Sequence, residues 1–172
     1  MKNDWLQVVA NIVFIIGLFA HTMYSSKLSK RIGRISKWIR GKDYRNVCIY
    51  VYDDNEYDLD LIERNVLSRF ENHHELFNEQ EAFLKKAEVG RNIFIIDHFS
   101  PGMSGLEMAQ KIKRANPSNW AIAYSGTQNI QILLDYTNQQ DRVDKFVSKH
   151  GEDRYINLEN AITQGIIIIS NQ

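Results

Sequence analysis

The sequence predicts an α/β fold: a doubly wound sheet of five parallel strands, preceded by one transmembrane helix. Three observations carry this. Short apolar runs alternate with amphipathic stretches five times between Asn46 and Ile169, the pattern of parallel strands joined by crossover helices. The central run, Ile93–Ile96, is apolar on both faces, as a strand covered on both sides must be. It ends in one carboxylate, Asp97, followed by a loop with Pro101, Gly102 and Gly105. Finally, Trp5–Tyr24 is about 20 residues long, the length a helix needs to cross a bilayer.

The balance of 21 basic and 21 acidic residues conceals segregation. Lys27, Lys30, Arg31, Arg34, Lys37, Arg40, Lys42 and Arg45 stand against Asp43 alone, so the chain from Asn46 onward is acidic. The single cysteine, Cys48, excludes an internal disulfide framework and fits a reducing compartment. It lies in an apolar run and reads as a small core residue.

Taken in order, residues 1–4 form an extracytoplasmic N-terminus and residues 5–24 the membrane helix. From Val8 to Ala20 there is no charge, Asn11 alone is polar, and Trp5 and Tyr24 bracket the segment as interfacial aromatics. A cleaved signal is disfavoured, because Lys2 is offset by Asp4 and no small-residue cleavage site follows. Residues 25–45 form a basic juxtamembrane segment. The positive-inside rule puts everything after Tyr24 in the cytoplasm, single-pass in an inner or plasma membrane. Leu28, Ile32, Ile35, Trp38 and Ile39 recur among the cations at helical spacing. A helix lying on anionic lipid is one reading, each surface cation contributing about 1 kcal/mol; a solvated linker is the other. Nucleic acid is a poorer partner for these charges than the adjacent bilayer.

Residues 46–172 form the α/β domain. Strands are expected at Val47–Tyr52, His74–Phe77, Asn92–Asp97, Trp120–Tyr124 and Val143–Ser148. Helices are expected from Tyr57 through Phe70 and over Glu79–Val89, Leu106–Ala115, Ile130–Tyr136 and Glu152–Ile169. Ser104 and Glu107 match a capping box before the third of these. The run Ile166–Ile169 must be buried or paired.

Reading only the strand ends gives a constellation. Strand one ends in Asp53-Asp54, strand three in Asp97, strand four in Ser125-Gly126 and strand five in Lys149. In an open parallel sheet these tips converge on one edge, where ligands bind. Crowded carboxylates repel unless a cation joins them, and a hard divalent ion such as Mg²⁺ takes oxygen ligands. A lysine and a hydroxyl complete a site for an anion, which suits phosphoryl transfer to a carboxylate.

These residues resemble the receiver domain of two-component response regulators, over about Asn46 to Gly165. An acidic pair ending strand one matches Asp53-Asp54. An Asp with Pro four residues on and Gly eight on matches Asp97, Pro101 and Gly105. Ser125-Gly126, Lys149 and Phe146 match the remaining elements, at separations of 44, 28 and 24 residues from Asp53 through Asp97 and Ser125 to Lys149. The resemblance implies a flavodoxin-like receiver fold with Asp97 as phosphoacceptor. It implies Mg²⁺ held by Asp54 and Asp97 directly, by Asp53 through water, and by the backbone carbonyl of Phe99. Lys149 and Ser125 would bind the phosphoryl group, and Ser125 and Phe146 would act as the switch. Its partners would be a histidine kinase or phosphotransfer protein, an output protein, lipid through residues 5–45, and a second copy of the chain. Because the chain ends at Gln172, output is expected by contact rather than through a further domain.

Two departures stand out. His150 follows Lys149 where the family has a proline with a cis bond, and cis before a non-proline costs about 3 kcal/mol. The Lys149 loop is therefore expected to be shaped differently. The helix after Gly126 is polar. His98 reads as an exposed loop residue, and His73-His74 is too short to be a metal motif. Two alternatives use the same residues: a docking module of the same fold that is not phosphorylated, and a phosphohydrolase with Asp97 as nucleophile. The hydrolase would need a second general acid and a substrate cap, and neither is evident.

Overall fold

Four-residue runs of β-branched and aromatic side chains build the sheet. Such residues favour a pleated, buried surface. The structure, a computed structural model, describes residues 44–99, 101–127 and 143–171. The chain divides into Met1–Lys42 and Asp43–Gln172, and only the second unit is described. The expected membrane helix 5–24, the basic segment up to Asp43 and the helix at Ile130–Tyr136 lie outside the described residues. Among the described residues no helix is long and apolar enough to cross a membrane.

The elements run β1 (Ile49–Tyr52), α1 (Glu56–Asn65), β2 (His74–Phe77), α2 (Gln80–Lys85), β3 (Ile93–Ile96), α3 (Gly105–Ala115), β4 (Trp120–Ser125), β5 (Lys145–Ser148) and α4 (Arg154–Ile169). The sheet order is β2-β1-β3-β4-β5 and every pairing is parallel. This is the expected five-stranded doubly wound sheet.

Strand parity divides the core. Ile49, Val51, Ile93, Ile95, Ile122, Tyr124 and Val147 pack with Leu59 and Ile62 of α1 and with Leu158, Ile162 and Ile166 of α4. Tyr50, Tyr52, Phe94, Ile96 and Ala121 pack with Phe83 of α2 and with Met108, Ala109 and Ile112 of α3. Every residue of β1, β3 and β4 is buried, which is why those runs lack polar alternation.

Several boundaries differ from expectation for local reasons. β1 starts at Ile49, because Val47 donates its N–H to Tyr44 O in a 3-10 turn at Tyr44–Asn46. The first helix does not continue to Phe70. Val66 leaves helical geometry at φ −126°, and Leu67–Arg69 form a 3-10 turn. α2 likewise ends in a 3-10 turn at Lys86–Glu88. The Ser104–Glu107 capping box is present in both directions.

α4 continues through Gly165, with Ile166 and Ile169 buried in the first cluster. The expected burial of this run is met by helix packing. A Cβ at Gly165 would lie 2.5 Å from Trp120 Cδ1 and 2.9 Å from its Cγ and Nε1. Replacing glycine in a helix interior gains about 1 kcal/mol of propensity, whereas overpacking a core costs about 1–3 kcal/mol. The contact is with the ring body of a nearly buried tryptophan, so the penalty wins. Gly165→Ala is expected to lower stability by about 1–2 kcal/mol in denaturant unfolding; an unchanged or raised midpoint would refute this packing account.

Candidate functional site

The carboxyl ends of β1 and β3 bring two aspartates side by side. Asp53 donates its N–H to Phe77 O at 3.1 Å, and Asp97 donates its N–H to Tyr52 O at 3.0 Å. Each is thus the first residue past its strand, still tied to the neighbouring one. Both are buried, at 2% and 6% exposure, whereas Asp54 is exposed. One carboxylate oxygen from each of Asp53, Asp54 and Asp97 lies within 4.8 Å of the others. Among the described residues this is the grouping of acidic, His or Cys side chains able to hold a metal ion.

Lys149, just past β5, reaches into this cluster. Its Nζ lies 2.6 Å from Asp53 Oδ2, 2.9 Å from Asp97 Oδ1 and 3.0 Å from Asp58 Oδ2. The ammonium donates hydrogen bonds to Asp53 and Asp58 and forms an ion pair with Asp97. Burial pushes the Asp53 carboxyl above its usual range, and Lys149 only partly opposes this. Burial also disfavours the Lys149 ammonium, but its bonds with Asp53 and Asp97 outweigh that and the net shift is upward.

The remaining oxygens are also directed. Asp53 Oδ1 accepts from Asn55 N–H at 3.0 Å, and Asn55 caps α1 by accepting from Tyr57 N–H. Asp97 Oδ2 accepts from Phe99 N–H at 2.9 Å. The loop after Asp97 turns at Gly102, where φ is +95°, a region that favours glycine. Gln80 Nε2 holds that loop by donating to Pro101 O at 3.0 Å and to Met103 O at 3.1 Å.

Ser125 is fully buried, and its hydroxyl accepts from Thr127 N–H at 3.2 Å. It is thus turned to its own loop rather than to the carboxylates. Ser125 O accepts from Lys149 N–H at 2.9 Å, which ties the tips of β4 and β5 together. Phe146 is half-buried in β5, opposite Ala123. Neighbouring Val147 joins the α1–α4 cluster, so alternation turns Phe146 to the other face.

Among the described residues there is no cis peptide bond. His150 instead donates its N–H to Ser148 Oγ at 3.0 Å, and its ring Nε2 lies 2.6 Å from Gly126 O. The altered loop foreseen from His150 thus takes the form of a side-chain tether between β4 and β5. His98 is half-buried and stacks edge-on against Phe99. Burial lowers its pKa, against the opposing charge of Asp97. His73 and His74 lie near Glu75 and Glu63, at 3.1 and 3.8 Å.

Two residues at or beside this rim, Asp58 and Gln80, were not singled out from sequence, and a third, His150, was singled out without its tether. Asp58 lies one turn into α1, and its only sequence signal is an acidic residue at a helix start, common for dipole reasons. The Gln80 bonds to the loop have no sequence signal. The His150 tether was visible only as a missing proline.

An all-oxygen donor set suits a hard divalent cation. The cluster's excess negative charge over one ammonium fits such an ion. The arrangement can hold a cation beside a carboxylate nucleophile, with an ammonium facing the same oxygens.

No family model matches the chain, and no curated protein matches it. Solved structures do. The signal receiver domain of an HD domain-containing protein from Pseudomonas fluorescens is 19% identical, with TM-score 0.63, covering 74% of this chain and all of that one (100%). An adenylate cyclase structure from Rhodopirellula baltica is 22% identical, with TM-score 0.62, covering 72% of this chain and 90% of that one. A response regulator protein from Burkholderia pseudomallei, solved with a phosphorylated aspartic acid, calcium ion and citrate, is 18% identical, with TM-score 0.58 and coverage of 71% and 69%. At these identities the similarity shows the fold, which is that of response regulator receiver domains.

Lys149 compensates buried charge, so its removal has a definite sign. Lys149→Met leaves Asp53 buried without its cation. Breaking a fully buried pair costs roughly 3–5 kcal/mol; with 18% of the Lys149 side chain exposed, about 2 kcal/mol is expected at pH 7. A carboxyl whose folded pKa is raised is most favourable protonated, and that contribution is lost as pH rises through the folded value. The deficit of Lys149→Met should therefore shrink as pH falls from 7 toward 5 in urea unfolding. A deficit independent of pH would contradict the charge account.

Proposed function

We propose that this chain is a membrane-anchored receiver that accepts a phosphoryl group on Asp97 in a Mg²⁺-dependent way and signals by protein contact. The observation that supports it most is the meeting at one sheet edge of Asp53, Asp54 and Asp97 within 4.8 Å, with Lys149 on Asp97 Oδ1 at 2.9 Å. The shared fold with receiver domains supports it independently.

In this reading one oxygen of Asp97 attacks the phosphorus of a phosphohistidine or small acyl phosphate. The donor's P–N or P–O bond breaks, its leaving group departs with the electron pair, and an aspartyl-phosphate forms. Asp54 and Asp97 would hold Mg²⁺ directly and Asp53 through water, and the carbonyl of Phe99 would contribute a further oxygen. The metal supplies charge neutralisation on the transferred oxygens. Lys149 pairs with the phosphoryl group as its hold on the carboxylates is relaxed. Ser125 turns from its loop to the new oxygens, and Phe146 responds. A charge change at a bistable loop is the usual form of such a switch. The phosphodonor is a histidine kinase or phosphotransfer protein. Output passes to a protein partner or a second copy.

Residues 5–24 anchor the chain in an inner or plasma membrane, with 25–45 against anionic lipid and the receiver in the cytoplasm. The full-length chain is then expected in the membrane fraction, released by detergent and retained in high salt. Release by salt alone would replace the span with surface attachment.

The central test uses the full-length chain in detergent micelles with acetyl phosphate and Mg²⁺, followed by intact-mass analysis. The wild type gains one phosphoryl group; Asp97→Asn gains none, and chelation abolishes the gain. Mg²⁺ at a hundred times its Kd should stabilise the fold by about 2.7 kcal/mol. Unlabelled wild type, or equal labelling of Asp97→Asn, would sink the proposal.

A further inference from the structure

We infer that Asp58 is a positioning residue for Lys149, the anchor that keeps the ammonium at the acidic rim once a metal engages the other carboxylates. The inference rests on the receiver reading and adds to it a residue outside the strand-tip constellation.

The Lys149 Nζ donates to Asp53 Oδ2 at 2.6 Å and to Asp58 Oδ2 at 3.0 Å, and lies 2.9 Å from Asp97 Oδ1 as an ion pair. These three carboxylates are not equivalent. Asp53 and Asp97 belong to the grouping of oxygens that can hold a metal ion; Asp58 does not. A divalent cation there competes with Lys149 for Asp53 and Asp97, since both cations draw on the same two carboxylates. Asp58 lies outside that grouping, so a metal held there leaves its bond to Lys149 in place. It is also fixed from behind, because it sits in the first turn of α1, whose start is capped by Asn55, itself bonded to Asp53.

The surroundings show where an unanchored ammonium could go. Beside Lys149 is a cavity of about 140 Å³ whose lining includes Asp58, Tyr124, Arg154 and Tyr155. A flexible four-carbon stem can swing into that space. Asp58 borders both the cavity and the rim, so its carboxylate limits the swing. Arg154, which lines the same cavity, repels a second cation.

The reading makes a prediction opposite in sign to simple electrostatics. Removing a carboxylate near an anion site ordinarily favours anion binding and should speed phosphorylation. Removing a positioning residue should slow it. Asp58 is one-third exposed, so its replacement is compatible with folding, to be verified by circular dichroism.

The experiment uses the full-length chain in micelles as wild type, Asp58→Ala and Asp58→Glu. The first readout is modification of the Lys149 amine by an amine-reactive reagent, followed by peptide mass spectrometry with and without Mg²⁺. Lys149 of Asp58→Ala should be modified about ten-fold faster than in wild type with Mg²⁺ present, the factor at the lower end of the range for loss of one hydrogen bond to a charged group. The difference should be smaller without metal, and Asp58→Glu should restore protection. The second readout is the rate of phosphoryl gain from acetyl phosphate, which should fall in Asp58→Ala and recover in Asp58→Glu. Wild-type modification rates in Asp58→Ala, or faster phosphorylation of that variant, would overturn the inference. Failure of the receiver reading would look different: wild type itself would gain no phosphoryl group, while the amine readout still reports on Asp58.

Discussion

Everything at the working edge of this domain follows from carboxylates gathered on one ammonium. Asp53 and Asp97 are nearly buried, and a buried carboxylate is costly unless paired. Lys149 supplies the partner at 2.6 and 2.9 Å. That pairing leaves more negative charge than positive at the rim. Such an imbalance is an unfavourable feature for stability alone, and it is the feature a divalent cation or a transferred anion held by one can use. The fold tolerates it because the strands beneath are fully buried and fix their tips.

That support is legible in the sequence to a definite depth. The uninterrupted apolar runs of β1, β3 and β4 gave strands because nothing else buries IYVY or IFII on both faces. Their ends gave Asp53, Asp54, Asp97, Ser125 and Lys149 because a parallel sheet sends its carboxyl ends to one edge. What escaped was set by conformation at single residues or by long side chains. The break at Val66 and the 3-10 turns after α1 and α2 have no periodic signature. The starts of β1 and β5 moved inward because loops there satisfy the backbone through turns and through Asp144, which accepts from Ala121 N–H. Asp58, Gln80 and His150 act from a helix or a loop toward the rim. Hydrophobic period reports which way an element faces its core, and it is silent on where an exposed polar side chain reaches.

His150 shows how a departure from pattern is absorbed. A residue with an imidazole where a rigid proline would stand loses the restriction of the ring. Here the imidazole reaches Gly126 O while its own N–H bonds Ser148. With Lys149 N–H on Ser125 O, two bonds now run between the β4 and β5 loops. Rigidity that a backbone ring would give locally is thus distributed between two loops.

This distribution has a consequence for how the edge can move. Ser125 and its loop must shift if its hydroxyl, now accepting from Thr127 N–H, is to serve a new anion. Because Lys149 and His150 both hold that loop, such a shift cannot be private to β4. It pulls on the segment that carries the ammonium, and the ammonium is held at the same time by Asp53, Asp97 and Asp58. Under the proposed function, movement of the hydroxyl, relaxation of the lysine and strain on β5, with Phe146 three residues before Lys149, would be coupled through these bonds. Coupling of this kind needs a contiguous set of bonds with two arrangements. The bonds are those just named, and the charge at Asp97 is what would select between the arrangements.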